Sequence, residues 1–309
     1  MFISLLLFVI NIILSYKSSK KKNISSRFVI TAVVWLSVTE LIGTLIAFNF
    51  RYNFFTEAHL HYLKIHATLG LIGWFLMLII GVSSILIPMF LISHQLDNMK
   101  LEKAYYLINI GLLAISVNWF FIHFDVINPL FWLSIVIGIA FFLSFVYDSY
   151  KKRLRKVLDI GMKHTIISVF SIIFPVIVSL ILILGFQLQS SILLRATLIY
   201  GFTIIFGFIT TLILGQTYKT LPFVIWLEKY QALVGKTKTP LPRELYSEKI
   251  ASIHFYLYLL FIITMVLGLV LDQIYLIRIG SYLLLLVAIF YNMNVFKIIF
   301  HKTKTLKND

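Results

Sequence analysis

The stretch "EAHLHYLKIHATLGLIGWFLMLIIGVSSILIPMF", from Glu57 to Phe90, decides the class of fold. Three of the protein's eight histidines, His59, His61 and His66, stand directly before or just inside its run of apolar residues. About 20 apolar residues in a helix cross a bilayer, and this run is long enough. Because an ionisable side chain is costly in hydrocarbon, histidines at the end of such a helix favour a functional site. The stretch predicts a membrane helix with a site at one end.

The composition of the whole chain is that of a membrane protein. Hydrophobic residues make up 60% and charged residues 13% of the sequence, and the mean hydropathy is +0.97. Soluble domains are about half apolar and about a quarter charged. We therefore expect an all-α fold, a polytopic transmembrane helix bundle that forms one integral membrane domain over residues 1–309. About nine spans are predicted, near 1–16, 28–50, 64–92, 104–123, 129–148, 164–187, 193–217, 250–271 and 274–298.

The distribution of basic residues predicts the orientation, because lysine and arginine concentrate in short cytoplasmic loops. With the N-terminus outside and the C-terminus inside, 23 of the 27 lysines and arginines lie inside. The net charge of +15 then reflects this topology and contact with anionic lipid head groups. The expected partner is the lipid bilayer, the expected location is the bacterial cytoplasmic (inner) membrane, and no nucleic acid is expected. The inside segments are 17–27, 94–103, 149–163, 218–249 and 297–309.

Two further features of the sequence limit its chemistry and its organisation. It contains no cysteine, which excludes disulfides, iron–sulfur clusters and thiolate metal sites. The longest polar segment, 218–249, is predicted to be a cytoplasmic loop. Within it, "FVIWLEKYQALV" (223–234) is predicted to form a short interfacial helix that ends before Gly235. The first span is short, and we interpret it as an uncleaved signal anchor rather than a cleaved signal peptide, because no basic residue precedes the apolar run and no small-residue cleavage site follows it.

The predicted topology gives each histidine a side of the membrane. His59, His61, His66 and His123 lie at the outer ends of segments three and four, and His254 lies a few residues inside segment eight on the inner side. Imidazole suits heme iron, copper and zinc, so these five are candidate metal ligands. The other three, His94, His164 and His301, are placed at inner loop boundaries or in the tail and are given no ligand role.

Spacing leaves two arrangements open for the outer histidines. If the helix begins at Glu57, His59 and His66 share a face about 10 Å apart, which suits the border of one large cofactor but not one small ion. If the segment as far as Lys64 is a loop, His59 and His61 can fold back towards His66 and His123 as a copper or zinc site. In either case Gly70, Gly73 and Gly81 allow another helix or a flat macrocycle to approach closely.

Other polar groups complete the candidate site. Glu40 lies near the middle of segment two, about 18 Å from its start at Phe28, and cannot easily reach the interface. We interpret it as an intramembrane carboxylate with a function; a protonated glutamate bonded to a neighbouring helix is the structural alternative. Arg51, Arg195 and Arg278 lie outside, near helix ends, where bidentate arginines suit heme propionates. Contact with lipid head groups explains each arginine equally well.

From His66 onwards, "HATLGLIGWFLMLIIGVSSILIPMF" resembles the second helix of subunit I of heme–copper oxidases and of their smaller relatives. In that family a histidine at the outer end of the helix ligates the low-spin heme. A glycine follows about four turns later, and a proline-containing ending closes the helix. Here His66, Gly81 and the residues 86–89 ("LIPM") occupy those places. The beginning "HxxLGxxGW" is also like the nitric-oxide-response heme–copper membrane proteins. The resemblance covers roughly thirty residues, and the rest agrees in topology and size alone.

The later part of the sequence departs from that family. It lacks the His–Pro–Glu–Val–Tyr stretch, the adjacent histidine pair and the His-x-His pair, and only His254 and His301 follow His164. The resemblance therefore implies no oxygen-reducing centre and leaves the second axial ligand unassigned. His123 is on the right side for that role, and Glu40 or a methionine are weaker candidates.

The resemblance implies a heme- or copper-binding membrane protein. It would hold heme b or a copper ion in its outer half and act in electron transfer, gas sensing or cofactor handling, as an oxidoreductase-type protein if it is an enzyme at all. A redox partner or other membrane subunits would then be its partners. Two other functions stay open: a transporter or channel for a cation or small solute that uses Glu40, and a non-catalytic membrane assembly subunit.

Overall fold

The computed structural model describes residues 2–19, 22–183 and 189–303. The fold is all-helical, with 85% helix and no strand in those residues. The chain divides into two compact units: unit 1 runs up to Lys156 and unit 2 begins at Val157. Nine helices are numbered in chain order: α1 Phe2–Ser18, α2 Ile24–Tyr52, α3 His59–Leu91, α4 Met99–Ile122 and α5 Asp125–Lys151 in unit 1, and α6 Ile160–Ile183, α7 Ser190–Leu233, α8 Glu248–Leu271 and α9 Ile274–Ile299 in unit 2.

Eight of these helices, α2 to α9, are long and apolar enough to cross a membrane, which indicates an integral membrane protein. The first helix has 17 residues, about 26 Å, which is slightly less than the hydrocarbon thickness of about 30 Å. The first of the nine predicted spans is thus a shorter apolar helix. The orientation of the termini and the single-domain organisation stay predictions. Residue 1 of the first predicted span and residues 184–187 of the sixth lie outside the described residues.

In unit 1, α2 packs along α3, and α4 forms a helical hairpin with α5. Small residues permit close approach, since a Cβ on Gly81 would lie 2.9 Å from the Cβ of Phe28. Hydroxyl pairs bridge the helices as well: the Ser25 and Ser84 oxygens are 2.6 Å apart. The α2–α3 contact is the scaffold that positions His66.

In unit 2, α6 packs against α7, and α8 forms a hairpin with α9. Gly161 and Gly215 lie against each other, because a Cβ on Gly215 would be 2.8 Å from the Gly161 carbonyl oxygen. Asp159 caps the start of α6 by accepting a hydrogen bond from the Met162 amide at 3.0 Å, and its carboxylate forms an ion pair with Lys219 of α7. These contacts join α6 to α7 at one level.

Among the residues that the structure describes, three helices contain a π-helical segment, a widened turn that occurs frequently at functional sites. In α7 the carbonyl oxygens of the widened turn accept hydrogen bonds from other helices: Ser168 donates to Phe208 at 2.7 Å, and Tyr258 donates to Phe206 at 2.6 Å. In α3 the segment begins three residues after His66, and in α4 it ends directly before His123. The segments are Leu69–Leu76, Asn118–Ile122 and Thr203–Thr210.

The predicted loop 218–249 is largely helical in its first half. Residues 223–230 are helical and the helix ends before Gly235, but they continue α7 rather than form a separate interfacial helix. Pro222 lies inside α7 without ending it. A polar run around Lys219 interrupts the hydropathy signal, whereas the backbone hydrogen bonding of a helix does not depend on apolar side chains.

Candidate functional site

Three of the four histidines that are predicted to be outer, His59, His61 and His66, lie on one helix, because α3 begins at His59. The arrangement that required a loop as far as Lys64 is therefore not the one observed. The His59 ring stacks on Phe50 with ring centres 4.5 Å apart, and its Nδ1 lies 3.3 Å from the Asn49 side-chain nitrogen. Within the described residues, no group of three or more histidine, cysteine, aspartate or glutamate side chains could hold one metal ion.

His61 and His123 are brought together. Their ring centres are 5.8 Å apart, and His61 Nε2 lies 2.9 Å from the Trp119 carbonyl oxygen. A carbonyl only accepts, so Nε2 donates, and in the neutral imidazole Nδ1 of His61 keeps its lone pair. His123 is exposed and follows the π-helical segment of α4 in a left-handed backbone conformation, with φ of 55°.

His66 is held against α2 by one hydrogen bond and one glycine. Its Nδ1 lies 2.9 Å from the Thr39 carbonyl oxygen, so Nδ1 donates, and Nε2 is the unprotonated nitrogen of the neutral imidazole. A Cβ on Gly43 would lie 2.8 Å from His66 Cε1, so only glycine leaves room for the ring there. A hydrogen bond from one ring nitrogen to a backbone carbonyl is the common way to orient a metal-ligating histidine.

The other glycines of α3 do not provide space for a macrocycle. A Cβ on Gly70 would meet Thr39 at 3.3 Å, and a Cβ on Gly73 would meet Trp35 at 2.7 Å. Of the two alternatives in the sequence, close approach of another helix is the one observed. His66 is half-buried, so a cofactor must approach it where its side chain is exposed.

Glu40 is half-buried on α2, next to Thr39, and the described residues offer its carboxylate no hydrogen-bond or ion-pair partner. Arg51, in the last turn of α2, is exposed. In unit 2, Arg195 lies 3.7 Å from the Asp272 carboxylate, and Arg278 is exposed. The structure thus places these predicted residues at helix ends or within a helix without testing a role in cofactor binding.

A second group of histidines lies in unit 2, and it includes His164, which was predicted to lie at a loop boundary without a ligand role. His164 of α6 and His254 of α8 are both fully buried, with ring centres 5.4 Å apart. None of their four ring nitrogens has a hydrogen-bond partner. Ninety positions separate the two residues in sequence. One signal could have found them: both were placed on the inner side, near the start of a predicted span.

Aromatic side chains surround this histidine pair. The ring of Phe255 meets His164 edge-on at 4.9 Å, and the Tyr258 ring stacks on His254 at 6.3 Å. Tyr218 and Tyr291 approach His254 at 5.7 and 5.5 Å. Four helices, α6 to α9, contribute to the surround. A buried polar group without a hydrogen-bond partner destabilises the folded protein by about 1–3 kcal/mol, so this pair is destabilising unless a ligand binds its ring nitrogens.

Next to α6, outside the spans, Tyr246 is buried in the connection between α7 and α8. Burial raises the pKa of Tyr246 to about 12, and the negative charges of Asp159 and Glu248 act in the same direction. The hydroxyl therefore stays protonated at physiological pH. Tyr246 also contacts Tyr218, with ring centres 5.3 Å apart, which links the connection to the surround of the histidine pair.

Comparison with known proteins adds no relative: no protein-family model, no curated protein and no solved structure matches this chain. The kinship with heme–copper oxidases therefore stays a prediction that rests on the residues from His66 to Met89.

Proposed function

We propose that this protein is a membrane-integral heme-binding protein, similar to heme–copper oxidase subunit I but without its oxygen-reducing centre. His66 serves as an axial ligand of a b-type heme in unit 1. The observation that carries the proposal is the hydrogen bond from His66 Nδ1 to the Thr39 carbonyl, which leaves Nε2 with a free lone pair. A ring nitrogen with a free lone pair can bind a metal, and this tautomer suits that role.

The number of nearby ligands favours heme over a bare ion in unit 1. A zinc ion needs about four ligands, whereas the porphyrin of a heme supplies four nitrogens itself. In the described residues no third histidine, cysteine or carboxylate completes a cluster. One well-oriented imidazole is enough to fix a heme. When bound, the heme supplies one-electron or gas-binding chemistry, and the protein sets its potential through the ligand and the surrounding dielectric.

Copper is the second candidate for unit 1, favoured by the His61–His123 pair. Their ring centres are 5.8 Å apart and His61 keeps the Nδ1 lone pair. Imidazole suits copper as well as heme iron. In either form we assign the protein to electron transfer, gas sensing or cofactor handling.

The experiment compares His66→Ala with His94→Ala, an exposed histidine of the same unit. Full-length protein is purified in detergent from heme-replete cells, and its absorption spectrum and its iron and copper contents are measured. Wild type and His94→Ala should show a Soret band, and His66→Ala should lose it. If wild type contains copper but no heme, and His123→Ala loses that copper, the metal site is the His61–His123 pair.

Protein that carries neither heme nor copper would overturn the proposal. The transporter alternative would then move ahead, because Glu40 lacks a partner in the described residues. In that case Glu40→Gln should abolish transport with an unchanged folded yield. A carboxyl group that serves only as a protonated hydrogen-bond donor should tolerate glutamine.

We also propose the topology of nine crossings with the N-terminus outside, in a bacterial inner membrane. The basic residues support it, because the predicted inside loops hold most of the lysines and arginines. Reporter fusions after Lys22 and Arg155 should report the cytoplasm, and fusions after Asn53 and Gln273 the outside. An exchange between the two sets would place His66 at the inner end of its helix and contradict the proposal.

A further inference from the structure

We propose that His164 and His254 in unit 2 form a binding site for a single copper(I) ion. The site goes beyond the function proposed for unit 1, since none of its ligands belongs to the His66 group. Its starting observation is that both imidazoles are fully buried and that all four ring nitrogens lack a partner. Native proteins pair nearly all buried polar atoms, and an exception calls for a missing ion, ligand or water.

The geometry of the pair suits one shared ion. With metal–nitrogen bonds of about 2.0 Å, the centres of two imidazoles on one ion lie at most about 6 Å apart. The measured separation of the His164 and His254 ring centres is 5.4 Å, with the ring planes tilted by 41°. The two rings also come from different helices, α6 and α8, so each is anchored independently. The ring-centre separation of the pair is therefore within the limit for one shared ion.

The number and charge of the ligands select copper(I). No third histidine, cysteine, aspartate or glutamate joins the pair in the part of the chain that the structure describes. Zinc is almost always four-coordinate in structural sites, and its double charge would be buried here without a carboxylate. Copper(I) carries one charge, is satisfied by two nitrogen ligands, and binds imidazole. Burial of a single charge among neutral side chains is the less costly choice.

The surround is suited to an ion of this kind. Tyr218, Tyr258 and Tyr291 approach the two imidazoles from α7, α8 and α9, and their ring faces attract a cation. Full burial excludes bulk water, which otherwise promotes oxidation of copper(I). The contact of Gly215 with His164 is also tight, because a Cβ there would be 2.8 Å from the His164 Cβ. The α6–α7 packing thus fixes the position of His164.

The competing explanation is a buried water that bridges the two imidazoles. It predicts that no metal binds and that conversion of either histidine to glutamine leaves the protein's metal content unchanged. The two explanations therefore differ in a quantity that can be measured directly on the full chain.

The test is an anaerobic competition titration with copper(I) and a chromophoric copper(I) chelator. Full-length protein in detergent is used, as wild type and as His164→Gln, His254→Gln, His66→Ala and His123→Ala. Wild type should bind one copper(I) that both glutamine variants lose, with an affinity drop of more than about 100-fold, the upper range for a change in the second shell alone. His66→Ala and His123→Ala should retain that ion, which separates this site from unit 1.

Two further measurements keep the outcome clear. Glutamine variants must elute as monodisperse protein with wild-type helix content, so that loss of copper is not loss of fold; if either fails to fold, His254→Asn replaces it. X-ray absorption should show a low-coordinate copper with nitrogen ligands. Wild type that binds no copper(I), equal binding in the glutamine variants, or zinc(II) bound as tightly as copper(I) would each overturn the proposal.

Discussion

The substitution Gly43→Ala tests the His66 site without touching a ligand. Gly43 faces His66 from α2, and a Cβ at this position would lie 2.8 Å from Cε1 and 3.1 Å from Nδ1 of the imidazole. Comfortable contacts between carbon atoms are about 3.5–4.0 Å, so the ring must withdraw by about 0.7 Å or more. The hydrogen bond from Nδ1 to the Thr39 carbonyl, now 2.9 Å, would then exceed the usual limit of about 3.2 Å.

The size of the effect follows from that lost hydrogen bond. A net contribution of about 1 kcal/mol corresponds to roughly a fivefold change in Kd. Misorientation of the ligand adds to this, since removal of a partner that orients a metal-bound histidine costs about 10–100-fold in affinity. We therefore expect heme to bind to Gly43→Ala between about 5-fold and about 100-fold more weakly than to wild type.

The assay is a heme titration of purified protein followed at the Soret band. Gly201→Ala is the matched control, because a Cβ at Gly201 has nothing within 4 Å and the intrinsic helix-propensity gain is the same. Gly201→Ala should bind heme as wild type does. The reasoning would be refuted if Gly43→Ala bound heme with wild-type affinity, or if Gly201→Ala lost as much.

Three other changes probe unit 2. Gly215→Ala should destabilise the protein by about 1–3 kcal/mol, seen as a lower thermal midpoint, because the new Cβ would meet the Gly161 carbonyl at 2.8 Å; an unchanged midpoint would contradict the packing. Asp159→Ala should lower the free energy of unfolding by about 1 kcal/mol or more, because the cap on the Met162 amide is lost. Asp159→Asn should lower it less, because asparagine also caps a helix. Equal losses of stability in the two variants would show that the ion pair with Lys219 dominates. Burial raises the pKa of Tyr246 to about 12, so the stability that this tyrosine contributes is complete below pH 10 and is lost as the pH rises to about 12. In an ultraviolet titration, the difference between wild type and Tyr246→Phe should show one tyrosine that ionises near pH 12. Ionisation of this tyrosine near pH 10 would contradict its burial.

Much of the fold could be read from the sequence, because apolar runs of membrane length report helices directly. The helices α2 to α6 and α8 to α9 lie close to the predicted segments. The prediction ended the seventh span at 217 and made 223–234 a separate interfacial helix, because the polar run around Lys219 interrupts the hydropathy. In the structure Lys219 is paired with Asp159 and the helix continues to Leu233.

The candidate sites were less predictable, for a different physical reason. His66 could be singled out, because its place at the start of an apolar run is a local feature. Its partner atoms could not, since they depend on the register of α2 against α3, which brings Thr39 and Gly43 to the ring. His164 was placed at a loop boundary, and only the packing of four helices shows that it is buried beside His254.

The length of α7 has a mechanical consequence. Its 44 residues span about 66 Å, whereas a bilayer with its head groups measures about 40–45 Å, so a straight helix that crosses the bilayer upright extends about 20 Å beyond it. The same helix carries Gly215, which fits against Gly161 and His164 with no free space. Close-packed contacts transmit displacement rather than absorb it. We therefore expect a displacement of the end of α7 to shift the contact between Gly215 and His164.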